Sequence, residues 1–121
     1  MLKKHHLSIK YAFKGLSWAL KTQANYRIHL ILSTVALGLC WLLRVTYEEY
    51  LVIITLIFIG FVVECINTAI ELTTDAIDKN WREDIGLAKD VSAGAMLLYA
   101  FGAAVVASVI FIPKLMEVIN L

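Results

Sequence analysis

Proline is all but missing: the 121 residues hold one, Pro113, so the chain is free to run in long uninterrupted helices. Charge is scarce, at 17% of residues against the usual quarter, and nearly balanced at net +1. Nothing therefore draws the whole chain toward nucleic acid or toward acidic partners. The six glycines, at 15, 38, 60, 86, 94 and 102, form neither GxxxxGK(S/T) nor GxGxxG, which excludes a soluble-type nucleotide-binding fold. The two cysteines, Cys40 and Cys65, both fall in apolar runs and suit packed, reduced thiols better than a disulfide or a metal site. Residues 1–27 also lack the short apolar core and small-residue site of a cleavable leader.

What remains is apolar: 60% hydrophobic residues and a mean hydropathy of +0.77. This composition describes a small all-α integral membrane protein with one domain over residues 1–121. From Ile9 the pattern is helical, with Ile9, Ala12, Phe13, Leu16, Ala19 and Leu20 on one stripe and Lys10, Lys14, Ser17 and Lys21 opposite. An amphipathic surface helix over about 8–27 is expected, its lysines toward anionic headgroups. Spans are expected over about 28–45, 50–70 and 91–112, the last of these ended by Pro113 and Lys114. The helix of the second span is expected to continue to Ile77. The N-terminal segment holds Lys3, Lys4, Lys10, Lys14, Lys21 and Arg27, and the 78–90 loop three more basic residues, against one in the 44–49 turn and one after Pro113. That bias sets the N-terminus in the cytosol and the C-terminus outside. Small residues repeat every fourth position along the third span, at Ala100, Ala104 and Ser108 and at Ala103 and Ala107, as close helix contacts require.

Chemistry concentrates where the second span ends, in Glu64-Cys65-Ile66-Asn67-Thr68-Ala69-Ile70-Glu71-Leu72-Thr73-Thr74-Asp75. On a helix Glu71 and Asp75 lie about 20° to either side of Glu64, with Asn67 about 60° away, so the four share one face. Glu71 lies about 10 Å and Asp75 about 16 Å along the axis from Glu64, which makes a ladder and not a point. An acidic side chain inside a bilayer costs on the order of 3 kcal/mol to insert, so it normally faces a bundle interior and serves a function. Lys89 and Asp90 open the third span just across the short loop. Carboxylates and an amide oxygen are hard ligands suited to Mg²⁺, which commonly arrives with nucleotide phosphates, and a lysine neutralises phosphate. Glu64, deepest of the set, is placed to take a proton from a lipid hydroxyl. That combination suits phosphoryl transfer at a membrane surface; intramembrane carboxylates equally mark proton or cation pathways, and the same ladder suits a non-enzymatic membrane protein.

The stretch Glu64-x-Ile66-Asn67-Thr68-Ala69-Ile70-Glu71-x-x-x-Asp75, followed by Ala88-Lys89-Asp90, resembles the signature of the prokaryotic diacylglycerol kinase and undecaprenol kinase family. Ala12-Phe13-Lys14-Gly15-Leu16 and Asn25-Tyr26-Arg27-Ile28-His29 extend the resemblance over essentially the whole chain. It implies a homotrimer with three spans per subunit and sites between subunits, in the bacterial plasma membrane with the active site on the cytoplasmic side. It also implies transfer of the γ-phosphate of Mg-ATP to a membrane lipid alcohol. By matching positions, Glu64 resembles the general base and Glu71 the metal-binding glutamate; Asn67, Asp75, Lys89 and Asp90 resemble residues that hold nucleotide and metal. Tyr11 matches a nucleotide-contacting tyrosine. Gln23 stands where the family usually has a second metal-binding glutamate, which predicts a weakened or differently coordinated second Mg²⁺ in an active protein, unless the departure leaves a degenerate kinase that binds nucleotide without turnover. Arg82-Glu83 stand where relatives often place histidine and proline, with Arg82 expected to face solvent. Undecaprenol is favoured over diacylglycerol, on the Ile-Asn-Thr-Ala-Ile-Glu stretch and the Phe111-Ile112-Pro113-Lys114-Leu115 end.

Overall fold

The computed structural model describes residues 2–119, with side chains from Leu7 onward; the side chains of Lys3 and Lys4 lie outside the described residues. Four helices follow one another, α1 (Leu2–Thr22), α2 (Ala24–Leu42), α3 (Tyr47–Ile77) and α4 (Glu83–Val118). Two of them, α3 and α4, are long and apolar enough to cross a membrane. In α2 the polar start Asn25-Tyr26-Arg27-Ile28-His29 dilutes an otherwise apolar helix.

Three boundaries differ from expectation. The surface helix stops at Thr22 instead of continuing to residue 27, because Gln23 turns extended (φ −94, ψ 119) and becomes the N-cap of α2. Neither glycine nor proline marks this break. Pro113 does not end the last helix: α4 runs through it to Val118. Ile110, three residues before it, is packed in a cluster with Cys40 and Ile53, and Lys114, just after it, reaches Glu49 at 3.1 Å. With both flanks held, the proline costs a hydrogen bond without breaking the rod. The loop expected over 78–90 is shorter, since α4 already starts at Glu83. The expected continuation of the second-span helix to Ile77 is what α3 has.

Local chemistry explains the turns. Thr46 caps α3 by accepting from the Glu49 N–H at 3.3 Å, while the Glu49 carboxylate accepts from the Thr46 N–H at 2.7 Å, a reciprocal capping box. That bond, and Lys114 beside it, hold the Glu49 carboxyl below the usual carboxylate range. Before it, α2 closes with Val45 N–H on the Cys40 carbonyl and Arg44 N–H on that of Trp41. Arg44 takes the left-handed conformation, φ 50, that this closure demands and that glycine usually fills. On the other side of the molecule Arg82 forks onto Asp84 at 3.1 and 2.7 Å, and Asp84 also accepts from the Ile85 N–H at 2.9 Å. The Arg82 fork holds the Asp84 carboxyl below its ordinary range.

Packing is centred on α3, which touches all three other helices and packs most extensively against α4. Buried apolar side chains are few: Ala19, Tyr26, Cys40, Ile53, Ile85 and Ile110 among the described residues. Leu97, Leu98, Phe101 and Val109 lie on α4 with about 70% of their surface exposed, as side chains meeting lipid would. The stripe Ile9, Phe13, Leu16 and Leu20 of α1 is likewise open, and only Ala19 of that stripe is buried. The small residues Ala100, Ala103, Ala104 and Ala107 of α4 line an apolar groove of about 320 Å³ together with His29, Ser33 and Ala36 of α2. At Gly60 of α3, an added Cβ would fall 2.5 Å from the Tyr99 Oη of α4. Tyr99 donates there to the Leu56 carbonyl at 2.5 Å.

Candidate active site

The ladder descends from buried to wet. Glu64 is 1% exposed and is the largest fully buried side chain among the described residues; Asn67 and Thr68 are also buried. Glu71 is half-buried and Asp75 exposed. Helical spacing produces this gradient, because each step of three or four residues keeps the face and moves about one turn toward the end of α3.

Around the Glu64 carboxylate stand Asn25 and His29 from α2, with Thr68 and Glu71 from its own helix. The Thr68 hydroxyl is a side-chain hydrogen-bond partner of that carboxylate. Aromatic rings cluster in the same part of the bundle. The Tyr26 ring lies 5.6 Å from that of Phe61, and His29 lies 6.0 Å from both Phe61 and Tyr99. The Tyr26 hydroxyl donates to the Phe61 carbonyl at 3.4 Å and meets the Cys65 Sγ. Cys65 is thus a packed thiol, as Cys40 is in the cluster with Ile53 and Ile110.

One turn further, a relay joins α4 to α3. Ser92 Oγ donates to Asn67 Oδ1 at 2.7 Å, and Asn67 Nδ2 donates to Glu71 Oε1 at 3.2 Å. A carboxylate can only accept, so this chain fixes which way the amide points. Beyond it Lys89 Nζ reaches Asp75 Oδ1 at 2.5 Å, on side chains 39% and 49% exposed. An exposed ion pair of this kind is worth less than about 1 kcal/mol, so it orients the two side chains more than it stabilises the fold. Thr74 donates back to the carbonyls of Ile70 and Glu71, both at 2.9 Å, and keeps this turn of α3 closed.

Of the residues singled out from sequence, Asn67 and Glu71 are bonded to each other, Glu64 stands about one turn above Asn67, and Asp75 pairs with Lys89. Asp90 is exposed on α4. Tyr11 is exposed on α1, and Gln23 sits at the α1–α2 break with Nε2 3.3 Å from Thr22 Oγ1. Arg82 is half-exposed and engaged by Asp84. Among the described residues no three carboxylate, histidine or cysteine side chains converge to hold a metal ion. Glu71, a single carboxylate whose Oε1 accepts from the Asn67 amide, fits a cation such as Mg²⁺ that keeps waters and takes most of its ligands from phosphates; it does not make a protein cage. Sequence reasoning missed Ser92 and the enclosure of Glu64 by Asn25 and His29. Ser92 lies three residues after Lys89, hence on the same face of α4, and that spacing was the available signal.

Residues 10–111 match the family described as prokaryotic diacylglycerol kinase. A Synechocystis protein named diacylglycerol kinase is 31% identical over 112 residues, 92% of this chain and 64% of that protein, so the chain spans less than two thirds of this relative. A Bacillus subtilis protein named undecaprenol kinase is 31% identical over 114 residues, 94% of this chain and 93% of that protein. An Escherichia coli protein named diacylglycerol kinase is 32% identical over 89 residues, 73% of this chain and 72% of that protein.

Proposed function

Because the chain belongs to the prokaryotic diacylglycerol kinase family, a family of membrane lipid kinases, we propose that it transfers the γ-phosphate of ATP to the hydroxyl of a membrane lipid alcohol. The observation that carries this reading is the gradient along one face of α3, from the buried Glu64 carboxylate to the exposed Asp75–Lys89 pair. A lipid hydroxyl belongs at the first end and a water-borne triphosphate at the second.

The roles follow from that placement. Glu64 takes the proton of the attacking hydroxyl, in a pocket that excludes bulk water. Lys89 lies against the phosphates and offsets their charge, while Asp75 and Asp90 help to seat the nucleotide. Asn67, held by Ser92, keeps Glu71 in one orientation. Glu71 and Gln23 are the residues that would hold Mg²⁺, which when bound neutralises phosphate charge. Tyr11 closes over the nucleotide from α1. Phosphoryl transfer asks chiefly for positioning and charge neutralisation, and this set offers both.

Undecaprenol is the favoured acceptor and diacylglycerol the next. The support is that the relative named undecaprenol kinase matches over 93% of its own length. The working assembly is a homotrimer in the bacterial plasma membrane, with α2 as a third span, sites between subunits, and the N-terminus and active site cytoplasmic. A proton or cation pathway is disfavoured because the outer half is filled by Cys40, Ile53 and Ile110.

The test is transfer of labelled γ-phosphate from Mg-ATP to undecaprenol and to dioleoylglycerol in parallel, in detergent micelles. Transfer to one lipid, lost in Glu64→Gln, is expected. No transfer to either lipid would overturn the reading.

A further inference from the structure

Ser92 sends its hydroxyl across the bundle. A serine or threonine inside a helix can return its proton to the carbonyl four residues back, as Thr22, Thr34, Thr55, Thr73 and Thr74 do here at 2.7 to 2.9 Å. Ser92 instead donates from α4 to Asn67 Oδ1 on α3 at 2.7 Å. Both residues are more than nine-tenths buried, at 6% and 5% exposed. The bond fixes the amide. With Oδ1 taken by Ser92, Asn67 turns Nδ2 toward Glu71 and donates to Oε1 at 3.2 Å. Turned over, the amide would set its oxygen against a carboxylate oxygen, so the observed direction is the one that both neighbours enforce.

That direction matters to any cation at Glu71. The amide N–H carries partial positive charge and stands on Oε1. A cation gripped by both carboxylate oxygens would share Oε1 with it and be repelled, whereas a cation held by Oε2 alone would not. The amide oxygen, itself a hard ligand, is withheld because Ser92 occupies it. Glu71 is thus left with a single open oxygen. Divalent ions differ in how they take this: Mg²⁺ keeps several waters and binds through one or two carboxylates plus phosphates, while Ca²⁺ gathers about six to eight oxygens and readily grips a carboxylate with both.

We propose that Ser92 is a positioning residue for metal selectivity: by holding the Asn67 amide it keeps Glu71 a one-oxygen ligand, and so favours Mg²⁺ over Ca²⁺ as the ion that accompanies the nucleotide. The inference rests on the lipid kinase reading, in which Glu71 helps to hold the metal, and adds to it which ion the site prefers and why. Ser92 acts only through Asn67. Without its hydroxyl, Asn67 Oδ1 lies buried with no donor, and the amide swings away from Glu71. Both carboxylate oxygens and the amide oxygen then open to a cation, and the ion that gathers more oxygens gains most.

The experiment measures binding of the β,γ-imido analogue of ATP to the full chain in detergent micelles, by calorimetry, in saturating Mg²⁺ and in saturating Ca²⁺. Wild type is compared with Ser92→Ala, Ser92→Cys and Ser92→Thr, and thermal unfolding is read beside each. Alanine removes the donor, cysteine keeps the size with a weak donor, and threonine keeps the hydroxyl. Wild type should bind the analogue more tightly with Mg²⁺. In Ser92→Ala that preference should fall roughly 10-fold, through tighter binding with Ca²⁺. Ser92→Cys should move the same way and Ser92→Thr should stay with wild type; if alanine unfolds the protein, the cysteine variant carries the comparison. A variant that merely loosens the fold weakens binding with both ions alike and leaves their ratio in place. An unchanged ratio overturns the proposal even where wild type transfers phosphate to lipid. If wild type binds the analogue with neither ion, the kinase reading itself fails and takes this inference with it.

Discussion

The two halves of α3 are built for different ends. Toward Tyr47 the helix is capped, tied to α4 by Glu49–Lys114, and packed through Ile53 against Cys40 and Ile110. Toward Ile77 the same helix buries Glu64, Asn67, Thr68 and Thr74. The half toward Tyr47 is packed through apolar contacts; the half toward Ile77 holds costly buried polar groups that packing alone would have replaced with leucine. Gly60 and Tyr99 mark the border. The difference teaches that in so small a bundle the stabilising contacts and the chemistry divide one helix by length, not by face.

Substitutions on either side should then have opposite signatures. The largest effect is expected from Glu64→Gln, which should cut lipid phosphorylation by about 10² to 10⁴-fold while leaving thermal stability in detergent equal or higher, since a buried amide costs less than a buried charge. A clear loss of stability in that variant would break the division. Next comes the border itself. Gly60→Ala places a methyl group against the Tyr99 ring, at 2.5 Å from its Oη and 2.8 Å from Cζ. A destabilisation of about 1–3 kcal/mol is expected, with activity lost alongside it, measured by denaturant titration and turnover on the same samples. In the half toward Tyr47, Ile53→Ala should cost about 2 kcal/mol yet leave turnover per folded molecule near wild type; a selective fall in turnover would show the halves to be coupled.

Smaller still is the effect of Gln23→Glu. Adding a carboxylate at the α1–α2 break should lower the Mg²⁺ concentration for half-maximal activity by a few-fold, and an unchanged Mg²⁺ titration would mean that Gln23 lies outside the metal's reach. The slightest effect concerns pH. Glu49 has its carboxyl held below the ordinary value, first by the Thr46 N–H and then by Lys114. The stability this gives is present above the unfolded value of about 4.3 and is lost as pH falls through the folded one. Melting temperature should therefore be flat from neutral pH to about 5 and decline below, with a smaller decline in Glu49→Gln.

The long apolar α3 and its polar face were legible from sequence because both rest on local periodicity: Glu64, Glu71 and Asp75 fall on one side of any helix that contains them. The continuation to Ile77 was legible for the same reason. What escaped depends on partners distant in the chain. Pro113 reads as a stop until Ile110 and Lys114 are seen to be held from across the bundle. Gln23 carries no turn signal, and its extended backbone reflects where α1 must leave α2. Arg44 occupies a conformation that propensity assigns to glycine. In the candidate site, the Asn67–Ser92 bond joins residues 25 apart in sequence, a link no periodicity reveals.

The outward face of α4 has a consequence for how such a chain tolerates change. Leu97, Leu98, Phe101 and Val109 are exposed on the bundle, and a lipid tail distinguishes poorly between one branched hydrocarbon and another. Wherever these positions meet only lipid, exchange among leucine, isoleucine, valine and phenylalanine is nearly neutral. Much of the chain's length is thereby open to drift, while a handful of polar positions on the opposite side of the bundle carry the whole identity of the protein.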